Sequence, residues 1–467
     1  MRSLIIFTWL FCAASGVFAQ SGRPGAQTAD ATADGKLSAP SAAQLFDEAN
    51  TYARKKFTEF ETKKLPYSEK LRLQIIQEQK QLAAKNAAML VARKTLAGED
   101  FYFLGMLHWI AGNDDGTDEA LKKFIAAENP NVEKLQAARS VVVILAARKK
   151  NFDEAEKILN DYLNTNPTKA RERARMESEL AANYRAVKNL EKAAPHAEEA
   201  YRAVKAGFQN APSRAVGISD LIENGMTVFE IYRDDRQTEK ADRTLEDLRK
   251  TGAFVESTSI YFVAVNERIK YLTETGRKAA ALQFYQDALV QAAGDFKAKG
   301  WRDEILQRLK GREKHYEMLG LPAPELPDVD RWFPGERKKL ADLRGKVVLL
   351  DFWATWCGPC FAAFPSLTEW SQKFEKDGLV VLGVTRYYGE NGGEAKEIEL
   401  LQNFKKENNL PYDFVVGREQ LNQTTYGVMT LPTTVIIDRK GIIRYAEPGA
   451  GREPEIQKTI EKLLAEK

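Results

Sequence analysis

Residues Asp351-Phe352-Trp353-Ala354-Thr355-Trp356-Cys357-Gly358-Pro359-Cys360 decide how the rest of the chain is read. The apolar run from Lys346 to Trp353 has the pattern of a buried strand. It gives way to Pro359, a residue suited to the first turn of a helix because that turn needs no amide from it. Both cysteines therefore fall where a strand passes into a helix. A helix start offers amide donors without intrahelical partners and the positive end of the peptide dipole, and both favour a thiolate. Cys357, at the tip, is the expected nucleophile. Cys360, one turn inward, is placed to attack a mixed disulfide and release its product.

The spacing argues for chemistry over stapling. Two cysteines three apart close a loop too short to stabilise much. Half of a zinc site is the other reading of such a pair, but structural zinc takes four ligands. The chain has no second cysteine pair, and His108, His196 and His315 all precede this domain. No metal or cofactor is expected.

Outward from the motif, short β-rich runs alternate with helical stretches. A helix is expected over Pro359 to Lys376, a strand over Leu379 to Thr385 and a helix over Glu394 to Asn408. A hairpin is expected from Thr434–Ile437 and Ile442–Ala446, and a closing amphipathic helix over Glu453 to Leu464. Such alternation implies an α/β domain on a central sheet, residues 319–467. The Pro-rich passage Leu321-Pro322-Ala323-Pro324, with Pro327 and Pro334, marks its boundary.

Residues 44–318 are helical in pattern, with apolar residues recurring at three and four, as in Leu71, Ile75, Ile76 and Leu82. Ala120/Phe124, Ala155/Leu159, Ala193/Ala197, Ala241/Leu245 and Ala281/Tyr285 each set a small residue four before a second packing residue. Their first members stand 35, 38, 48 and 40 residues apart. The region resembles tetratricopeptide repeats, of period about 34, without being a regular array. It reads as a solenoid holding a peptide or partner protein, or as helical hairpins that merely pack against their neighbours.

The C-terminal domain is similar to thioredoxin, and more narrowly to the exported TlpA/ResA-like branch. The motifs that carry this are Leu343-Arg344-Gly345-Lys346-Val347-Val348-Leu349-Leu350 leading into the cysteines, Pro365, Tyr426-Gly427-Val428, and Thr430-Leu431-Pro432-Thr433. The stretch Tyr387 to Val416 resembles the insertion of that branch. The resemblance implies a thioredoxin fold and thiol–disulfide exchange at Cys357 and Cys360. It implies that Asp351 is the buried acid that deprotonates the resolving cysteine, and that Pro432 is a cis-proline beside which the Leu431 backbone pairs with a client chain. Trp356, with Gly358 and Pro359, would form the client-facing rim. It further implies client proteins bearing disulfides and a membrane electron donor of the DsbD/CcdA type. Gly358 stands where relatives serving cytochrome c maturation carry Glu, and Gly358-Pro359 resembles reducing thioredoxins. Oxidase or isomerase activity on the same fold, or a protein-binding scaffold with a secondary redox domain, are the alternatives. The peroxiredoxin pattern Pro-x-x-x-Thr-x-x-Cys is not met before Cys357.

Composition limits the setting. Of 467 residues, 44% are hydrophobic and 29% charged, and 69 Lys+Arg stand against 66 Asp+Glu. This balance gives no field for nucleic acid or anionic lipid. Arg2, the apolar Leu4 to Phe11 and Val17-Phe18-Ala19 read as a secretory signal peptide, residues 1–19, with an uncleaved membrane anchor as the alternative that the short span from Leu4 to Ala19 disfavours. The bulky Phe11 before Cys12 argues against lipidation. Residues 20–43, rich in Ser, Gly, Ala, Thr and Pro, read as a tether. An exported, periplasmic protein is expected.

Overall fold

A computed structural model describes residues 39–64, 68–208, 214–389 and 392–466. The expected leader, and all of the tether except residues 39–43, lie outside the described residues. Among the described residues, fourteen helices come first: α1 (Ala42–Thr62), α2 (Glu69–Val91), α3 (Glu99–Ala111), α4 (Asp114–Ile125), α5 (Val132–Arg148), α6 (Phe152–Leu163), α7 (Ala170–Ala186), α8 (Leu190–Phe208), α9 (Arg214–Asp234), α10 (Thr238–Phe254), α11 (Thr258–Glu274), α12 (Lys278–Asp295), α13 (Lys299–Lys310) and α14 (Glu313–Met318). Helix α1 starts two residues before the expected boundary because Ser41 caps it. The Ser41 hydroxyl accepts from the Gln44 amide at 3.2 Å, and the Gln44 side chain accepts from the Ser41 amide at 2.7 Å.

The helices form hairpins whose turns repeat more faithfully than their side chains. Gly112, Lys150, Lys188, Arg236 and Gly276 all take left-handed conformations, with φ between 58° and 80°. In each case the next residue's amide reaches back over the turn, as from Asn151 to Ala146 (2.9 Å), Asn189 to Tyr184 (2.9 Å) and Arg277 to Leu272 (2.8 Å). That 6→1 bond satisfies a carbonyl which the helix end leaves open. All ten residues of the alanine-led pairs are buried. The small side chains let neighbouring helices approach closely.

The rest of the chain forms β1 (Arg331–Phe333), β2 (Val347–Phe352), α15 (Gly358–Phe361), α16 (Phe364–Phe374), β3 (Leu379–Arg386), α17 (Glu394–Glu407), β4 (Asp413–Gly417), α18 (Leu421–Thr425), β5 (Thr433–Ile437), β6 (Ile443–Pro448) and α19 (Glu453–Ala465). The six strands are ordered β1-β4-β3-β2-β5-β6. The β2–β3 and β3–β4 pairs are parallel and the others antiparallel. The central strand β2 is buried along its length because both faces are covered. Val347, Leu349 and Trp353 share one core with α16 and α19. Val348, Leu350 and Phe352 share the other with residues of α11 to α14. The chain is thus an α-helical region joined to an α/β thioredoxin fold.

Three expectations need correction. The helix after the cysteines is broken between Phe361 and Phe364. The last part of the supposed insertion, β4, is an inner strand of the sheet, paired with both β1 and β3. The Pro-rich passage is paired chain as well as a boundary. Gly320 and Ala323 donate to Ile443 and Gly441 (2.8 and 2.9 Å), and Leu321 accepts from Ile443 (2.9 Å), which covers the edge of β6.

Candidate active site

Cys357 caps α15 and is disulfide-bonded to Cys360. Cys360 is wholly buried and Cys357 nearly so. The turn is tight. The amides of Cys357, Gly358 and Cys360 bond to the carbonyls of Ala354, Trp356 and Cys357 at 3.0–3.1 Å. Main-chain acceptors therefore take amides that the sequence left free to face sulfur. Thiolate stabilisation has to come from the local field more than from open donors.

Asp351 lies in β2 opposite Gly383 on one side and Thr434 on the other. Alternation along the strand puts it on the face of Leu349 and Trp353, whose core contains both cysteines. It is 1% exposed, and its Oδ2 has no hydrogen-bond partner. Burial pushes its carboxyl up to about 7. A carboxyl that changes charge near neutrality can accept or return a proton beneath a dithiol.

The sheet register brings the second element to the same edge. Phe352, the last residue of β2, faces Thr433, the first of β5. The Leu431–Pro432 bond just before Thr433 is cis. Leu431 packs against both cores, including the one holding the cysteines. The Thr433 hydroxyl donates to the Thr430 carbonyl at 2.7 Å and closes the loop.

Trp356 is 55% exposed and is not a core residue. Its ring meets Tyr388 edge to face at 5.3 Å, and the Arg386 guanidinium lies 4.2 Å over the Tyr388 ring. Phe361 and Met429 are also exposed. Met429 lies three residues before Pro432 of the cis bond, and Phe361 directly follows Cys360. A small cleft lined by Thr355, Thr385, Arg386, Tyr388 and Glu397 opens on the Tyr388 side. Sequence reasoning passed over Tyr388 and Met429. Their signal was a second aromatic just past a strand end and an apolar residue just before the proline loop. The Asn422-Gln423-Thr424 triplet is no glycosylation site in this fold, since Asn422 is buried and holds the main chain of Asp328.

Comparison with known proteins falls on this domain. A family model described as AhpC/TSA matches residues 320–446. The thiol–disulfide oxidoreductase ResA of Geobacillus thermodenitrificans is 32% identical over 153 residues, covering 32% of this chain and 81% of the relative. The thioredoxin-like protein YneN of Bacillus subtilis is 34% identical over 138 residues, 29% of this chain and 77% of the relative. The exposed lipoprotein thioredoxin Etrx1 of Streptococcus pneumoniae, a solved structure, is 30% identical. It aligns over 30% of this chain and 98% of its own, with a TM-score of 0.25.

Proposed function

This chain belongs, through its C-terminal domain, to the ResA thiol–disulfide oxidoreductases, and on that premise we propose that it is an exported reductase of client-protein disulfides. The thiolate of reduced Cys357 attacks one sulfur of a client disulfide. One S–S bond forms as the other breaks, and the first client thiolate leaves. Cys360, its proton taken by Asp351, then attacks Cys357 Sγ, which frees the second client thiolate and closes the Cys357–Cys360 disulfide. Two electrons pass to the client. A membrane dithiol donor of the DsbD/CcdA type returns them.

The observation that carries this reading is the closed Cys357–Cys360 pair at a strand-to-helix turn, with the cis Leu431–Pro432 loop at the same sheet edge. Leu431 offers main-chain groups to an extended client, while Trp356, Gly358 and Pro359 line its approach. The helical region, tetratricopeptide-like in its hairpins, recruits clients or a partner protein. The leader 1–19 and tether 20–43 deliver residues 44–318 and 319–467 to the periplasm.

Three experiments test this. In a Cys360→Ser variant, client chains should accumulate as mixed disulfides on Cys357, and their absence would remove direct action on proteins. The reduction potential of the pair should fall near −270 mV, as in thioredoxin, whereas about −180 mV or above would turn the reading to isomerisation or oxidation. Full in vivo rescue by the Cys357→Ser/Cys360→Ser double variant would favour the scaffold instead.

A further inference from the structure

We propose that the helical region positions the client-binding proline loop, with α14 gripping that loop from both flanks and Arg312 acting as the positioning residue. This rests on the disulfide-exchange reading of the site and adds to it a role for the helices.

The exit flank is β6. Glu447 and Pro448 lie opposite Thr434 and Thr433, the residues that follow Pro432, and the Gly449 amide donates to the Pro432 carbonyl at 2.8 Å. Arg312, at the start of α14, holds this stretch by two contacts from one nitrogen. Its Nη2 reaches Glu447 Oε1 at 2.9 Å and donates to the Ala446 carbonyl at 2.8 Å. Both side chains are buried, at 3% and 2% exposure. Helix α11 adds further contacts. Asn266 donates to Glu447 at 3.2 Å, and Lys270 lies 3.8 Å from Glu447 and 2.6 Å from Glu455. The Tyr316 hydroxyl donates to Asn266 at 2.9 Å and links α14 back to α11.

The entry flank is Tyr426-Gly427-Val428. Gly427 takes φ +68°, and a Cβ there would meet Lys314 Cβ and Cγ at 2.7 Å and the His315 ring at 3.5 Å. Bare glycine thus lets α14 lie directly on the chain that leads into the loop. Arg312 Nη1 is 2.7 Å from His315 Nδ1, so the guanidinium contacts the exit flank directly and the entry flank only through His315, whose ring lies beside Gly427. The far end of α14 is fixed by Lys278, which donates to the carbonyls of Tyr316 and Leu319.

Burial works against a charge on Glu447. Arg312, Lys270 and Arg452 more than offset it, and its carboxyl is held below the usual range. A buried ionic network of this kind tolerates few geometries, because loss of one partner leaves its counter-charge desolvated. An ion pair of this rigidity, two residues from the loop that meets the client, transmits the position of α14 to that loop.

The test uses the full mature chain with Arg312→Lys and Arg312→Ala, and Lys462→Ala at the exposed interdomain pair with Glu274 as control. Amide hydrogen exchange at Gly449 and across 429–433 is read beside the kinetics of a disulfide-bearing protein and a small aromatic disulfide. Both Arg312 variants should speed exchange in the loop and raise KM for the protein disulfide about tenfold. The reduction potential and the small-disulfide rate should stay within about twofold, and Lys462→Ala should change nothing. Arg312→Lys keeps the charge and loses only the fork; it remains informative where Arg312→Ala does not fold. Unchanged loop exchange and KM in a folded Arg312 variant would overturn the proposal, as would a parallel loss with the small disulfide. A wild-type chain inert toward both disulfides would defeat the redox reading, while the exchange data would still decide the positioning.

Discussion

The helical region and the thioredoxin domain use nearly opposite means to become rigid. In the helices, order is local. Hairpin after hairpin ends on a left-handed residue and buries alanine against its neighbour, as at Lys150 with Ala155 and Lys188 with Ala193. The stability of such a stack is close to a sum of neighbour terms, so damage stays near its origin. In the sheet, β2 gathers β3 from one side and β5 from the other, and the buried Asp351 stands between them. There, one residue's environment depends on strands far apart in sequence.

The largest effect should come from the sulfur itself. Cys357→Ser removes the nucleophile and should lower protein-disulfide reduction by ~10³ or more, as loss of a covalent nucleophile does elsewhere. Turnover with a protein disulfide and a chemical reductant checks this. The melt of the helical region should not move, and a parallel shift would erase the contrast between the two regions.

Asp351→Asn comes next, and its effect is tied to pH. The folded carboxyl titrates at about 7 against an ordinary 3.8, so between these values the folded state binds the extra proton. Stability therefore falls as pH rises through that window, and the full cost of ~4 kcal/mol is present above pH 7. The Asn variant should flatten the slope, gaining over the parent at pH 8 and not at pH 4 in denaturant titrations. Resolution of the mixed disulfide should slow by roughly 10² at the same time. A pH-independent difference between the two proteins would mean that Asp351 does not titrate.

Leu248→Ala probes the helical side. Leu248 is wholly buried and packs where Gly225 lets α9 and α10 approach. Its truncation should cost about 2–5 kcal/mol. Hydrogen exchange should show the loss confined to the neighbouring hairpins, with the Cys357–Cys360 potential unchanged. Spread of the loss into the sheet would show that the stack is not built of neighbour terms. The smallest effect is expected at Lys462–Glu274, 3.5 Å apart with half-exposed side chains. Lys462→Ala should change stability by less than about 1 kcal/mol, as exposed pairs do.

Much of the candidate site was legible because its signals are short. Cys357, Gly358, Pro359 and Cys360 are adjacent, Asp351 stands six residues upstream, and Pro432 sits within a motif of four. Of the strands, β2, β3, β5 and β6 were visible through apolar runs. β1 is three residues long, and β4 lies at the end of the stretch whose resemblance to an insertion masked it. The break after Phe361 did have a signal in Pro365, which has no amide to donate to the Phe361 carbonyl and opens α16, although the run reads as one helix.

By itself the sequence determined a dithiol at a strand-to-helix turn, a helical region of alanine-led hairpins and a boundary between the two. Each follows from contacts between residues within about one element of each other, which spacing encodes directly. Only the tertiary structure decided that Asp351 Oδ2 lacks a hydrogen-bond partner, that Trp356 faces outward against Tyr388, and that Arg312 grips Ala446 and Glu447 across 134 and 135 residues. Those outcomes depend on which charges and rings meet once the chain has closed over long loops, and no local periodicity records such a meeting.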